Sequence, residues 1–219
     1  MAKVFTLLYR KPGWSHRQFS DYWAGTHREH ALDLARAGFF TGYVQNHLVS
    51  QVQDSTWPAA DGIPEIWVPS VDSLAEIAAS EVYQNGAAPD EANFTPGVVD
   101  SYIAEAEGEQ GVSRLVSPVS ELRHLVFLQA ESAELVSRKL AELELGGAAD
   151  AVDIFQTTSA ADGHTPYMVL SGFWSSIEDA RSGLDRIIYK LSEVAGLRPL
   201  NAGIYETRRV VDPSTGKWD

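Results

Sequence analysis

An internal duplication is the feature that most constrains the fold of this chain. The predicted order strand–helix–strand–strand–helix–strand occurs twice along the sequence. The two copies are also alike in letters, because Ile66-Trp67-Val68-Pro69-Ser70-Val71-Asp72 resembles Phe173-Trp174-Ser175-Ser176-Ile177-Glu178-Asp179. An Asp-Gly pair precedes each tryptophan strand, at 61–62 and at 162–163. Self-similarity of this kind indicates two copies of one structural unit.

Alternation of apolar residues, turn residues and helix caps sets the predicted elements. The first copy is predicted to contain strands at 3–9, 42–50, 63–68 and 98–106, helices that begin at Ser15 and Ser70, and an irregular segment at 83–95. The second copy is predicted to contain strands at 122–130, 151–157, 167–174 and 202–210, a helix at 132–145, and a helix from Ser175 or Ser176 to Val194. The predicted domains are therefore 1–107 and 121–211, with a linker at 108–120 and a tail at 212–219.

A unit of this order is ferredoxin-like: a four-stranded antiparallel sheet with both helices on one face. The other face also carries alternating apolar side chains and must be covered. We therefore expect an α+β fold in which two tandem ferredoxin-like units pack their antiparallel sheets face to face as a pseudo-dimeric α+β barrel. The expected cavity lies between the two sheets.

Composition excludes several classes of function. The net charge of −13 and the pI near 4.8 argue against a nucleic-acid partner, since phosphate binding requires a basic surface. The absence of cysteine excludes disulfides and thiolate chemistry. No membrane-length apolar run or signal peptide is present, so we expect a cytoplasmic protein without a membrane partner. No phosphate-binding loop or Gly-x-Ser-x-Gly elbow is present, which disfavours kinase, dehydrogenase and serine hydrolase functions.

Three of the six histidines lie between residues 9 and 48, which concentrates groups that can carry protons in one region. His27 lies on the apolar face of the first predicted helix, four residues after Trp23. A neutral imidazole can accept or donate a proton near pH 7, although a core histidine bonded to a backbone carbonyl is the alternative. His27 and His30 lack a third ligand at a recognisable spacing, so no metal site is predicted.

The second predicted strand offers two sets of side chains. Tyr43, Gln45 and His47 share one face, whereas Asn46 lies on the other. If the Tyr43 face lines the cavity, Tyr43 and His47 are pocket residues. If the opposite face lines it, Asn46 is the pocket residue, and the sequence leaves both arrangements open.

Further candidates are predicted to bind the substrate. Arg10, beside Tyr9 at the end of the first strand, could hold a carboxylate or a phenolate, or it could be a solvated loop charge. Trp23 and Trp67 either pack in the core or stack on an aromatic ligand. His124, on the fifth strand, could enter the same cavity from the second repeat.

Three sequence blocks together resemble a known family. They are Arg10-Lys11-Pro12-Gly13-x-Ser15-x-x-x-Phe19-x-x-Tyr22-Trp23-x-x-x-His27, then Tyr43-Val44-Gln45-Asn46, then Asp61-Gly62-Ile63-x-Glu65-Ile66-Trp67. The first half thereby resembles the EthD family of the dimeric α+β barrel superfamily, and the second half resembles a degenerate repeat. The superfamily includes cofactor-independent lyases, isomerases, cyclases and dehydratases, quinone-forming monooxygenases and, more distantly, haem enzymes. The resemblance implies a catalytic role for His27, with Tyr43 and His47 as its neighbours.

From these observations we expect a cofactor-independent lyase that dehydrates or decarboxylates a small aromatic or polyketide-like acid. The alternatives are an isomerase or cyclase of the same substrate class, a non-catalytic accessory protein of an oxygenase pathway, and an oxygenase. The sequence does not decide whether two such chains pair as a homodimer. The expected catalytic residues are His27, Tyr43 and His47, and the expected substrate-binding residues are Tyr9, Arg10, Trp23, Asn46, Trp67 and His124.

Overall fold

The computed structural model describes residues 1–52, 56–97, 100–105, 122–130, 152–159 and 166–217, with the backbone alone at 130, 152–159 and 166. The chain forms two compact units. The first contains Met1–His47, Asp61–Ser117 and Arg208–Asp219, and the second contains Leu48–Ala60 and Pro118–Thr207. The predicted linker at 108–120 and the predicted helix at 132–145 lie outside the described residues.

The sheet of the first unit has the strand order of a ferredoxin-like fold. Its strands are β1 (Ala2–Leu7), β2 (Gly42–Gln51), β3 (Gly62–Val68) and β4 (Asp100–Glu105). β1 pairs with β3 and β4, and β3 pairs with β2, all antiparallel, so the order is β4-β1-β3-β2. The predicted positions of these strands are confirmed.

The first helical segment runs from residue 16 to residue 36 and contains one π-turn between two α-helices. α1 (His16–Tyr22) begins at Ser15, whose side chain forms the predicted capping box with Gln18. A first π-turn (Trp23–His27) follows, and α2 (Arg28–Arg36) completes the segment. A π-turn inserts one extra residue into a helix, and such turns occur frequently at functional sites. Gly38, at a φ of 84°, lies just beyond the end of the helix.

The second helical segment contains α3 (Ser73–Ala79), a second π-turn (Tyr83–Ala87) and α4 (Ala88–Phe94). The prediction that residues 83–95 are irregular is wrong. Pro89 is the second residue of α4 and follows the second π-turn directly, within a helical run that is continuous from residue 81 to residue 94. Asp90 and Glu91 come next in the same run. The residues that suggested a loop therefore lie within a helix.

The two faces of the first sheet differ in chemistry. On the helix side, Val4, Tyr43 and Val68 pack against Leu34 and Ile77. On the opposite side, Lys3 forms a buried ion pair with Glu65, and Asn46 Nδ2 donates to Glu65 Oε1 at 2.9 Å. The face that holds Tyr43, Gln45 and His47 is therefore the helix side, and Asn46 lies on the side away from the helices.

The sheet of the second unit repeats this order. Its strands are β5 (Leu122–Ala130), β6 (Val152–Ser159), β7 (Pro166–Phe173) and β8 (Leu197–Val211), and their antiparallel pairs give β8-β5-β7-β6. The described helix of this unit, α5 (Ile177–Ser192), is capped by Ser176, one of the two predicted caps. The duplication predicted from the sequence is thus present in the strand order of both sheets.

Trp67 and Trp174, which match in sequence, have different surroundings. Lys3, a buried cation, lies opposite Trp67 in the first sheet. Arg123, also buried, lies opposite Phe173 in the second sheet, one residue before Trp174. Trp174 instead belongs to the cluster that packs against α5. Among the described helices, none is long and apolar enough to cross a membrane.

Candidate functional site

A cavity of about 270 Å³ lies between the sheet and the helices of the first unit. Most of its lining is apolar, and neither Lys nor Arg is among the described residues that line it. Its polar lining residues are Thr6, His27, Tyr43, Tyr83, Glu91, Thr95 and Ser101. This cavity lies on the helix side of the first sheet, whereas the cavity expected from the sequence lies between the two sheets. The apolar stripe of an amphipathic helix indicates that the helix packs against the sheet. It does not indicate whether a cavity remains between them.

His27 is the imidazole of this cavity. It ends the first π-turn and is buried, with 9% of its surface exposed. Its Nδ1 lies 2.8 Å from Asp90 Oδ2, and its Nε2 has no hydrogen-bond partner among the described residues. An ionised carboxylate only accepts hydrogen bonds, so Asp90 holds the proton on Nδ1. Nε2 therefore carries no proton, and its lone pair is available to accept one, as a general base requires.

Asp90 is fixed by two other donors. Tyr22 Oη donates to its Oδ1 at 2.5 Å, and Asn93 Nδ2 donates to the same oxygen at 3.1 Å. Burial acts to raise the pKa of Asp90, but the hydrogen bonds from Tyr22, Asn93 and His27 outweigh it and lower that pKa. Burial lowers the pKa of His27 in spite of the neighbouring carboxylate of Asp90. The pair is consequently a neutral imidazole beside a carboxylate at pH 7.

Tyr43 enters the cavity from β2. Its hydroxyl oxygen accepts a hydrogen bond from Gln45 Nε2 at 3.1 Å. Burial raises the pKa of Tyr43 to about 12, against the effect of the neighbouring donors on Gln45 and Trp23. Tyr43 is therefore protonated at pH 7 and can donate a hydrogen bond to a ligand. The indole N–H of Trp23, another lining residue, is near enough to influence Tyr43 but forms no hydrogen bond of normal geometry among the described residues.

Glu91 contributes a carboxyl group to the lining of the cavity. Tyr83 Oη donates to its Oε1 at 3.1 Å, and both side chains line the cavity. Burial raises the pKa of Glu91, and the charge of Asp90 raises it further, although the Tyr83 hydrogen bond opposes the shift. Burial likewise raises the pKa of Tyr83 to about 12. Two carboxyl groups adjacent in sequence thus have pKa values shifted in opposite directions, which is typical of acid–base sites.

His47 shares the helix-side face with Tyr43 but does not line the cavity. It lies under Trp23, with ring centroids 4.6 Å apart. Its Nδ1 lies 2.8 Å from Ser20 Oγ and its Nε2 lies 3.3 Å from Gln45 Oε1. Burial, aided by the charges of Arg208 and His16, lowers the pKa of His47 to about 3. Both ring nitrogens are occupied, so direct proton transfer with a ligand is not available to it.

Other predicted binding residues lie away from the cavity. Arg10 is held by Asp61, which accepts its backbone N–H at 2.9 Å and pairs with its guanidinium. Tyr9 precedes it outside the lining, and burial together with nearby Asp100 and Asp61 raises the pKa of Tyr9. Asn46 and Trp67 lie on the sheet face turned away from the helices. Trp23 is the predicted binding residue that lines the cavity, together with the catalytic candidates His27 and Tyr43.

His124 belongs to the second unit and is fully buried there. Trp174 Nε1 donates to its Nδ1 at 2.7 Å. Burial and the charge of Arg123 lower the pKa of His124 to about 3. A Cβ at Gly172 would lie 2.2 Å from the imidazole, so the ring occupies a space that only glycine leaves open. The structure shows His124 as part of the packing of its own unit.

Sequence reasoning missed Asp90, Glu91, Tyr83 and Gln45. The first three lie in the segment 83–95 that was predicted to be irregular. A signal was present, because Pro89-Asp90-Glu91 has the proline and acidic residues that begin helices. Gln45 was placed on the correct strand face, yet its partners, the Trp23 carbonyl and the Tyr43 hydroxyl, depend on tertiary packing.

The described residues contain no group of three His, Asp or Glu side chains that could hold a metal ion. A haem does not fit the cavity of the first unit. Cavities for drug-sized ligands are typically about 300–1,000 Å³, and a haem is larger than such ligands. The cavity of about 270 Å³ is smaller, and its described lining offers no Lys or Arg to pair with haem carboxylates.

A family model, the EthD domain, matches residues 11–97. Residues 11–97 are therefore similar to an EthD domain. The resemblance predicted from the three sequence blocks is confirmed. The matched segment contains His27, Tyr43, Asp90 and Glu91, so the main acid–base groups of the cavity fall within it. No curated protein matches the chain.

Solved structures share the fold over almost the whole chain. An anthrone oxidase-like protein is 14% identical, with a TM-score of 0.54, and the match covers 95% of this chain and 92% of that one. A chlorite dismutase-like protein is 12% identical, with a TM-score of 0.59 and coverage of 94% of both chains. A heme-binding protein from Thermus thermophilus is 12% identical, with a TM-score of 0.50, covering 97% of this chain and 92% of that one. These likenesses establish the fold, and the predicted fold class of the dimeric α+β barrel is confirmed.

Proposed function

We propose that this protein is a cofactor-independent lyase that removes a proton from carbon and eliminates water from a small, uncharged aromatic or polyketide-like ketone. The observation that carries the proposal is the state of His27 in the cavity. Asp90 binds its Nδ1 at 2.8 Å and leaves Nε2 as an unoccupied base. Tyr43, a neutral donor, lines the same cavity.

The lining of the cavity favours an uncharged substrate. A carboxylate in an apolar site requires a cationic partner, because burial of an unpaired charge costs several kcal/mol. Among the residues that the structure describes, no Lys or Arg lines the cavity, and Glu91 would repel an anion when ionised. We therefore propose a neutral ketone in place of the acid expected from the sequence. This choice favours dehydration over decarboxylation.

The proposed reaction begins with proton transfer to His27. Nε2 takes a proton from the carbon next to the substrate carbonyl, and the electron pair moves to the carbonyl oxygen. Asp90 stabilises the imidazolium that forms. The hydroxyl of Tyr43 donates to the developing enolate oxygen, an interaction that strengthens as negative charge accumulates.

Elimination then requires an acid for the leaving hydroxyl. Glu91 serves in this role, since its raised pKa favours the protonated form and Tyr83 holds its Oε1. The carbon–oxygen bond breaks as Glu91 protonates the oxygen, and the enolate electrons form the carbon–carbon double bond. Water and an unsaturated ketone are the products. Transfer of the proton from His27 to Glu91 through solvent restores both groups.

The first test measures proton abstraction without knowledge of the natural substrate. Anthrone and 2-tetralone are incubated with the protein in D₂O, and loss of the signal of the acidic CH₂ protons that the carbonyl activates (C10 of anthrone, C1 and C3 of 2-tetralone) is followed by NMR. We expect catalysed exchange by the wild type and loss of exchange in His27→Gln. Tight binding of these ketones without exchange would instead indicate the accessory, non-catalytic protein.

The second test measures the elimination itself. The neutral hydroxyketone 4-hydroxy-4-phenylbutan-2-one should be converted to 4-phenylbut-3-en-2-one, which is conjugated and can be followed by ultraviolet absorbance. Exchange without elimination on this and related hydroxyketones would favour the isomerase or cyclase alternative. Glu91→Gln should abolish elimination while it retains exchange, because only elimination uses the acid.

Oxidation by O₂ is the second candidate, and it shares the first step. Its support is the fold shared with an anthrone oxidase-like protein, together with an apolar cavity that suits O₂. In that reaction an activated CH₂ group and O₂ give a carbonyl group and water. Oxygen uptake in the presence of anthrone, measured with an oxygen electrode, would favour this candidate over the lyase.

A further inference from the structure

We infer that Ser20, His47 and Gln45 form a directional hydrogen-bond chain that holds the Tyr43 O–H bond toward the cavity. Gln45 is the positioning residue of this chain, and it does not itself line the cavity. The catalytic consequence rests on the proposed function, in which Tyr43 donates to an enolate oxygen. The direction of the chain is a property of the free protein and can be tested separately.

The orientation of the Gln45 amide follows from its neighbours. Its Nε2 lies 2.9 Å from the Trp23 carbonyl oxygen, which can only accept a hydrogen bond. The NH₂ group must therefore face Trp23, and the same group lies 3.1 Å from Tyr43 Oη. Gln45 Oε1 is left facing His47 Nε2 at 3.3 Å. The amide cannot flip without the loss of the bond to Trp23.

The tautomer of His47 follows from the orientation of Gln45. An amide oxygen only accepts, so His47 Nε2 must carry the proton. The imidazole is neutral at pH 7, because burial lowers its pKa to about 3, and Nδ1 is therefore an acceptor. Ser20 Oγ, 2.8 Å away, is the donor to that nitrogen. Each hydrogen bond in the chain thus has one permitted direction.

The chain determines where the Tyr43 proton points. Tyr43 Oη accepts the N–H of Gln45, so its own O–H cannot be directed back at that group. Tyr43 lines the cavity, and no acceptor for its hydroxyl is found among the described residues. The proton is consequently presented to a ligand. A donor whose direction is set in advance requires no reorganisation when charge develops on the substrate.

Packing isolates Gln45 and His47 from water, whereas Ser20 is half-buried. Gln45 and His47 have 1% and 2% of their surfaces exposed. A Cβ at Gly62 would lie 2.5 Å from the Trp23 ring, so the glycine allows Trp23 to cover His47 closely. Water therefore cannot replace Gln45 or His47 in the chain without repacking.

The direction of the chain is tested in the free protein by NMR of ¹⁵N-labelled histidine. We expect His47 to be the neutral Nε2–H tautomer at pH 7 and to remain neutral at pH 5. The ¹⁵N signals that disappear in His47→Gln are assigned to His47. An Nδ1–H tautomer, or protonation of His47 above pH 5, would overturn the inference whether or not the protein is catalytically active.

The catalytic consequence is tested with the exchange assay and a double-mutant cycle. Gln45→Glu keeps the size of the side chain but replaces the donor with an acceptor, so Tyr43 O–H would turn toward Glu instead of the cavity. We expect the exchange rate at saturation to fall about 10–10²-fold with little change in KM, and Gln45→Glu to add little to Tyr43→Phe. Gln45→Met removes the donor without adding charge, so it should lower the exchange rate at saturation by a smaller factor.

The control is Val49→Thr, an exposed substitution on the same strand, which should leave the rate unchanged. Independent, multiplicative effects of Gln45→Glu and Tyr43→Phe would overturn the positioning role. If the wild type exchanges no ketone while His47 is the Nε2–H tautomer, the proposed function fails and the chain direction stands.

Discussion

His27 Nδ1 lies 2.8 Å from Asp90 Oδ2, and this contact joins two helical segments of the first unit. His27 ends the first π-turn, whereas Asp90 lies in the first turn of α4. The carboxylate is itself held by Tyr22 and Asn93. The tautomer of the base is therefore set by a residue 63 positions away in sequence.

Removal of the imidazole should abolish proton abstraction. We expect His27→Gln to lower the rate of ketone deuterium exchange by about 10²–10⁴-fold, the usual contribution of a general base. Asp90→Asn should cost about 10–10³-fold, because the amide no longer selects the Nδ1–H tautomer. His30→Gln is the matched control, since this imidazole lies near His27 but outside the cavity lining. A rate in His27→Gln close to that of the wild type would contradict the proposed base.

The pH profile of exchange should have a single acid limb. His27 must be neutral to act, and burial lowers its pKa from 6.5, so the rate should be constant near pH 7 and fall at a pH below 6.5. Asp90 opposes that lowering, so Asp90→Asn should move the limb to still lower pH. Exchange rates measured from acid to neutral pH test both statements, and a limb that moves upward in Asp90→Asn would oppose the assignment.

Elimination should have an additional alkaline limb. Glu91 must be protonated to release water, and burial raises its pKa above 4.5, so activity should fall as pH rises through that raised value. The profile of dehydration is then bell-shaped, whereas that of exchange is not. Tyr83→Phe removes the hydrogen bond that lowers the pKa of Glu91, so the alkaline limb should shift to higher pH. Identical profiles for the two reactions would exclude Glu91 as the acid.

Buried histidines should make the fold sensitive to acid. The folded-state pKa values of His47 and His124 are about 3, against an ordinary value of 6.5. Between these values the unfolded chain binds more protons, so stability is complete above pH 6.5 and is lost as pH falls. From about pH 6.5 to about pH 5 each site should cost about 2 kcal/mol of the free energy of unfolding. Urea denaturation at both pH values should show a smaller loss in His47→Gln.

Glycine packing in the second unit offers a test of stability. A Cβ at Gly183 would lie 1.8 Å from the Trp174 ring, so Gly183→Ala must displace the indole that donates to His124. We expect a loss of about 1–3 kcal/mol. Gly25→Ala is the control, because apart from its chain neighbours and the backbone of its own helix no described atom lies within 4 Å of its Cβ position, and alanine favours helix. Equal stabilities of the two variants by urea denaturation would show that Trp174 is not tightly held.

Local patterns predicted much of the first unit, and tertiary packing decided the rest. The helix that carries Trp23 and His27 and the shared strand face of Tyr43, Gln45 and His47 followed from periodicity alone. The sheet face that borders the cavity could not, because apolar side chains alternate on both faces of β2. His47 is on the face with Tyr43 yet lies beneath Trp23, a contact that strand alternation does not encode. Asp90 and Glu91 were missed because Pro89 was interpreted as a loop residue.

The π-turn at Trp23–His27 has a consequence for how such a site can arise and disappear. Each residue of an α-helix turns the chain by about 100°, so loss of one residue here would restore regular winding and rotate α1 against α2. Tyr22 would leave Asp90, while the hydrophobic face of α2 could stay on the sheet. A deletion of one codon would thus dismantle the contacts around Asp90 in a chain that still keeps the fold.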